Sequence, residues 1–375
     1  MKPKKIAFVY DRINKIGGAE RVLLAMHAIW PDAPLFTAVY DKQHARWASV
    51  FHVKPSFLQR FPFAKRHHEL YAWLTPMAFE SFSFDTYDVV ISITSAEAKY
   101  IITKPQTLHI CYCLTPTRYL WSGKEEYEKN PNIGLPRVVT GRTLNTLTPL
   151  LRKWDIIGSS RPDRYIAISD IVKERIQTYY HQSVDRVIYP PVDLTMFQEG
   201  KKTVSSAAHS FFLLVSRLVP YKRIDLVVEA CNKLKLPLVI VGEGVEKIHL
   251  QRLAGPTIQL VGTVTDRELI NYFRDCRAFV FAGVEDFGIA AVEAQAMGKP
   301  VITYKKSGMA EIVVDGKTGL LFDSQSVDGL TRALKQFDHE WYDDNLCREN
   351  AKRFGQERFN REMKQTVEEL YNRYI

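Results

Sequence analysis

The chain has 375 residues, too many for one ordinary hydrophobic core and suited to two α/β domains. With 46% hydrophobic and 25% charged residues it has the composition of a globular protein, and no run approaches the roughly 18 consecutive apolar residues of a membrane-spanning helix. The net charge of +9 falls on one half: residues 1–192 hold 26 Lys and Arg against 17 Asp and Glu, whereas residues 193–375 hold 25 against 25.

A basic half suits nucleic acid, an anionic membrane surface or a phosphate-bearing substrate; no nucleic-acid motif accompanies it, so no nucleic-acid partner is expected. The opening MKPKKIAFVYDR passes from a short basic run straight into a strand over 5–10, without the apolar core of a signal peptide, which predicts a cytoplasmic protein. After the strand comes DRINKIGGAE, and a helix periodic in Val22, Met26, Ile29 and Trp30 starts near Ala19. Gly17 and Gly18 admit a close ligand approach, but two glycines are far weaker evidence than a full phosphate-loop pattern, and on the residues alone a tight turn wins.

A second strand, LFTAVY (35–40), precedes a basic-aromatic segment without clean periodicity, which predicts a loop and then a helix from about residue 67. Adjacent His67 and His68 point in different directions on a helix and have no acidic partner at ligand spacing, so they suit solvent or an interface better than a metal. The runs DVVISI (88–93) and TLHICYC (107–113) are buried strands; Cys111 and Cys113 alternate along the second, a spacing of neither a zinc knuckle nor a redox pair, so the five scattered cysteines are reduced core thiols. Arg118, Tyr119 and Trp121 follow it, with an arginine fork for phosphate and rings for sugar faces, although ordinary packing suits the rings equally well. Residues 137–161 suit an amphipathic helix, RYIAIS (164–169) a strand, and RVIYPPVD (186–193) ends the first domain at a Pro-Pro connector. The polar segment 199–210 then forms a mobile link.

The second half opens with FFLLVSRLVPYKRIDLVVEA, whose strand ends near Ser216. Arg217 and Lys222 stand on the loop and at the following helix start, where two cations five residues apart can flank a diphosphate or simply face solvent. PLVIVGEG, IQLVGTVTDREL and AFVFAG are apolar strands ending in glycine, among them Gly242 and Gly262, at the edge where open α/β sheets bind ligands. The last leads into Glu285–Gly288, a strand-to-helix loop. Glu293 follows two helical turns later on the same side, and the amides of Gly288, Ile289 and Ala290 are first-turn donors suited to phosphate. A short strand, LLF (320–322), and terminal helices complete the chain.

The form EDFGIAAVE, followed by AMGKPVI, SGMAEIV and DGKTGLLF, resembles the donor-binding half of the retaining GT-B glycosyltransferases of family 4, most specifically between Phe211 and Phe322. The resemblance implies an α/β fold of two doubly wound Rossmann-like domains facing a cleft. It implies an acceptor-side domain over 1–195, a nucleotide-sugar domain over 196–355, and a helix over 356–375 returning to the first. It implies a hexosyltransferase with Glu285, Arg217 and Lys222 in catalysis. The donor side comprises Gly17, Gly18, Gly242, Gly262, Val264, Phe287, Gly288, Ile289, Ala290 and Glu293, and the acceptor side Glu20, Arg118 and Tyr119. In that family Glu285 binds sugar hydroxyls, Glu293 the ribose, and the Gly-Thr-Val loop at 262–264 the base. Leu114 stands where related enzymes often carry a histidine, which puts acceptor chemistry at that position in question.

GGAERVLLA and TPTRYLW look most like bacterial mannosyltransferases of polysaccharide assembly, implying GDP-mannose as donor and a glycan or lipid-linked acceptor. A UDP-sugar transferase and a catalytically silent nucleotide-sugar-binding protein are the alternatives. No DxD pair holds a cation against phosphate, so no metal cofactor is expected. The basic-aromatic stretches 56–73 and 137–161 suggest peripheral contact with an anionic membrane at its inner face.

Overall fold

The computed structural model describes residues 4–122, 137–197 and 211–375. The expected link at 199–210 lies outside them, as do the side chains of Arg137 and Arg142. The chain divides into two compact units, residues 1–189 with 359–375, and residues 190–358.

In the first unit seven parallel strands, β1 (Ile6–Tyr10), β2 (Leu35–Thr37), β3 (Val53–Pro55), β4 (Val89–Thr94), β5 (Leu108–Cys113), β6 (Arg164–Ala167) and β7 (Arg186–Val187), stand in the order β3-β2-β1-β4-β5-β6-β7. The central strands β1, β4 and β5 are buried at every position, which is why they are continuous apolar runs rather than alternating ones. Helix Gly18–Ile29 follows β1, and helix Arg137–Ser159 carries Pro149 within it. The terminal helix Gln356–Tyr374 packs in this unit from Phe359 onward: Phe359 meets Tyr112 edge-on at 6.0 Å, and Arg186 donates to Thr366 Oγ1 at 2.7 Å.

The segment expected as loop then helix differs from that expectation. Val53–Pro55 is an edge strand beside β2, three residues long and so without a period to detect, and it ends in a proline that an edge position tolerates. Short 3-10 turns follow, and the first α-helix is Thr75–Glu80, with Pro76 in its first turn. Several strands are also shorter than their apolar runs: β2 ends at Thr37, and Tyr40 reaches only an isolated bridge to Ile13.

In the second unit six parallel strands, β8 (Phe212–Val215), β9 (Leu238–Val241), β10 (Ile258–Gly262), β11 (Ala278–Phe281), β12 (Val301–Tyr304) and β13 (Gly319–Phe322), stand in the order β10-β9-β8-β11-β12-β13. Successive crossovers add strands outward, and the direction of growth reverses between β8 and β11. Both sheets are thus doubly wound; in the first the reversal falls between β1 and β4. Each unit thus has a Rossmann-like winding.

Candidate nucleotide-sugar site

The loops after β8 and β11 leave the second sheet side by side at its reversal point, so their backbones must approach closely. A Cβ on Gly283 would lie 2.4 Å from the Lys222 carbonyl oxygen, and one on Gly242, at φ +136°, 1.8 Å from the Ser216 carbonyl oxygen. Glycine at these two positions is a steric requirement of the site. The loop after β8 is pinned by Leu218 N–H donating to Glu243 O at 2.9 Å and then makes a 3-10 turn, Pro220–Lys222.

That turn buries the Lys222 stem and brings Nζ to Glu285 Oε1 as an ion pair, with both side chains 15% exposed or less. Glu285 is held from the other side: its N–H donates to Ser307 Oγ at 2.9 Å, and its carbonyl accepts from Gly308 N–H at 2.9 Å. Arg217 is exposed on the same loop as Lys222 and donates to Tyr221 OH at 3.1 Å. Gly288 is the N-cap of helix Ile289–Ala296, at φ +106° and with no side-chain cap. The first-turn amides of Ile289 and Ala290 therefore have no intrahelical acceptor, at the positive end of the helix dipole. Glu293 is buried on the next turn. Gly262, at φ +77°, ends β10, and Val264 is half-buried two residues on. Phe287 is a core side chain, its ring 5.5 Å from that of Phe354, so only its backbone remains for a ligand. Two cations, a paired carboxylate and a helix N-terminus on adjoining loops can take up a diphosphate and orient a hydroxylated group beside it.

In the first unit Gly17 has extended backbone, φ −169°, which any residue adopts; a Cβ there would lie 3.2 Å from Glu20 Oε2. Gly18 opens the helix after β1, and Glu20 is buried, accepting from Tyr10 OH at 2.6 Å. Leu114 is a core residue whose N–H donates to Thr94 O at 2.8 Å. Arg118 and Tyr119 are half-buried after β5, and Tyr119 OH donates to Glu97 Oε1 at 2.7 Å.

Glu97 belongs to a buried polar network that the sequence reasoning did not single out. At the reversal between β1 and β4, Asp11 accepts from Thr94 Oγ1 at 2.6 Å, Ser95 N–H at 2.9 Å and Ala98 N–H at 2.8 Å. Burial pushes the Glu97 carboxyl above its ordinary pKa; Arg12, 3.9 Å away, opposes this and Asp11 adds to it. Beside them Lys99 Nζ donates to Asp155 Oδ1 at 2.6 Å, as do Tyr100 OH at 2.7 Å and Thr117 Oγ1 at 2.8 Å, while Trp121 Nε1 donates to Oδ2 at 2.7 Å. Burial works against the Asp155 carboxylate, but Lys99 and these donors hold its pKa below the ordinary value. One signal was available in the sequence: charged residues interrupting otherwise apolar strand ends and helix faces.

Residues 198–354 match the family model described as Glycosyl transferases group 1. An uncharacterized glycosyltransferase of Methanocaldococcus jannaschii is 26% identical over 237 residues, 60% of this chain and 64% of that protein. A GDP-mannose-dependent alpha-mannosyltransferase of Mycolicibacterium smegmatis is 32% identical over 188 residues, 48% of this chain and 49% of that protein. The alignments thus span less than two thirds of either relative. Anabaena HepE, solved in complex with UDP and glucose, superposes with a TM-score of 0.67 at 17% identity, covering 98% of this chain and all of that one, a likeness of fold. The fold is that of GT-B glycosyltransferases.

Proposed function

We propose that the protein is a retaining hexosyltransferase that moves a sugar, mannose from GDP-mannose, to a glycan or lipid-linked acceptor in polysaccharide assembly on the cytoplasmic side of the membrane. The observation that carries this reading is the meeting of Lys222 and Glu285 across the loops after β8 and β11, beside the Gly288-capped helix. The GDP-mannose-dependent relative favours the donor.

In this reading Arg217, Lys222 and the amides of Ile289 and Ala290 take the charge that develops on the leaving diphosphate, each donor contributing a few kcal/mol to transition-state stabilisation. Glu285 orients the sugar through its hydroxyls, Glu293 holds the ribose, and the loop at 262–264 lies along the base. Gly17 and Gly18 face the donor, and Glu20, Arg118 and Tyr119 the acceptor. These cations and the helix dipole replace a divalent metal. A UDP-sugar donor is the second reading, favoured by the structural likeness to HepE, solved with UDP and glucose.

Calorimetric titration of GDP-mannose, UDP-glucose and an ADP-sugar decides between them: GDP-mannose is expected to bind tightest, and a preference for UDP-glucose overturns the donor assignment. Slow release of nucleoside diphosphate from donor without acceptor is expected of the enzyme; its complete absence favours a silent binding protein. Proton NMR of the product gives the anomeric configuration, and inversion sinks the retaining assignment.

A further inference from the structure

Among the described residues, six of the nineteen exposed large apolar side chains lie within residues 57–77: Phe57, Phe61, Phe63, Leu70, Trp73 and Met77. They include every exposed phenylalanine among those residues, and Phe63 is 75% exposed. Arg60, Lys65 and Arg66 are exposed among them, against a single acidic residue in that stretch of sequence, Glu69.

The segment is firmly seated, so these side chains are not strays from the core. Leu58 and Ala64 turn inward into the hydrophobic core of the first unit, and Tyr71 and Leu74 pack against it. Phe57, Phe61 and Tyr71 pack in sequence, the first two rings tilted at 6.0 Å and the next two edge-on at 5.3 Å. Phe63 has φ +59°, a conformation that a bulky residue rarely adopts, and its carbonyl accepts from the Arg66 and His67 amides at 3.0 Å and 2.8 Å. The turn so formed presents the Phe63 ring to solvent.

The segment is also tied to the carboxyl edge of the first sheet. The Gln59 amide bonds both the N–H and the carbonyl of Tyr40, at 2.8 Å and 3.0 Å, and Ser56 Oγ donates to Ala38 O at 2.8 Å. These partners continue from β2 beside the loop that leads to Glu20.

We infer that residues 57–77 dock the first unit onto an anionic lipid surface, with Phe57, Phe61, Phe63, Trp73 and Met77 entering the headgroup region and Arg60, Lys65 and Arg66 meeting lipid phosphates. Rings and aliphatics interleaved with cations fit that boundary, whereas protein interfaces disfavour lysine at their centre. The charge agrees: the first unit holds 29 Lys and Arg against 20 Asp and Glu, and the second 22 against 22. The inference rests on the proposed transfer to a lipid-linked acceptor and identifies where that acceptor's membrane meets the chain.

Sedimentation of the intact protein with phosphatidylcholine vesicles, with and without phosphatidylglycerol, tests it. Binding is expected only with phosphatidylglycerol, with a blue shift of Trp fluorescence that Trp73→Phe diminishes. Lys65→Glu with Arg66→Glu, and separately Phe63→Ser, should each lower the partition coefficient by about tenfold or more, as should high salt. Calorimetric titration of nucleoside diphosphate into the same variants should be unchanged, since none of these residues belongs to the donor side. Equal binding to neutral vesicles, no loss in the variants, or a concentration-dependent dimer abolished by Phe63→Ser overturns the docking surface while leaving the donor reading intact. Vesicle binding without nucleotide binding has the reverse meaning.

Discussion

At the carboxyl edge of the second sheet, functional side chains are positioned by backbone approaching backbone: Gly242 and Gly283 let neighbouring loops touch, and Ser307 fixes Glu285. At the matching edge of the first sheet, buried charge holds the loops, with Asp11 tying β1 to the turn after β4 and Asp155 gathering Lys99, Tyr100, Thr117 and Trp121. The first arrangement leaves the Lys222 and Glu285 side chains 10% and 15% exposed, against 1% and 0% for Lys99 and Asp155, so a charged ligand can compete for them. The second fills its hydrogen-bonding capacity internally. Two sheets of one winding pattern thus have edges that are stabilised differently.

The largest effect that sharpens this contrast is expected at Glu285. Glu285→Gln should lower the rate of sugar transfer by roughly a hundredfold or more while the melting temperature hardly moves, because a loop carboxylate contributes to the ligand rather than to the core. Near-wild-type transfer by that variant would remove Glu285 from the site.

A large loss of a different kind is expected at Asp155. Asp155→Asn leaves Lys99 buried without its counter-charge and should destabilise the first unit by about 3–5 kcal/mol, measured by urea unfolding. Because the folded-state pKa of Asp155 is depressed, its contribution is complete above the ordinary carboxylate pKa and is lost as pH falls through the depressed value. Adding Lys99→Met to Asp155→Asn should recover part of the loss, since it removes the uncompensated charge while the amide oxygen still accepts hydrogen bonds from the neighbouring hydroxyls. A fully stable Asp155→Asn protein would show that the network is not what holds these loops.

Legibility in the sequence follows the same division. The second unit was readable because three of its strands, β9, β10 and β11, are largely apolar runs that lead into glycine, and because EDFGIAAVE, AMGKPVI and SGMAEIV lie close together along the chain. In the first unit the partners of Asp11 lie more than eighty residues away, and those of Asp155 up to 56, so no local pattern joins them. Strand β3 escaped because three residues carry no period, and residues 56–66 because their order comes from the side chains of Ser56 and Gln59 bonding to backbone. Phe287 illustrates the opposite limit: a place in a recognisable motif did not reveal that its ring serves the core.

The smallest expected effect is none. Excess EDTA should leave transfer unchanged, because Lys222, Arg217 and the Gly288-capped helix supply the positive potential that a metal otherwise provides. Activity that disappears with EDTA and returns with Mg²⁺ or Mn²⁺ would contradict this.

The most direct test of a donor site on the loops after β8 and β11 is a calorimetric titration of GDP into the wild-type protein and into Lys222→Ala, without divalent metal. Loss of a charge-assisted contact to the diphosphate should weaken binding by roughly tenfold to a hundredfold while the melting temperature of the free protein is little changed. Equal affinity in the two proteins would contradict the assignment and place the diphosphate elsewhere.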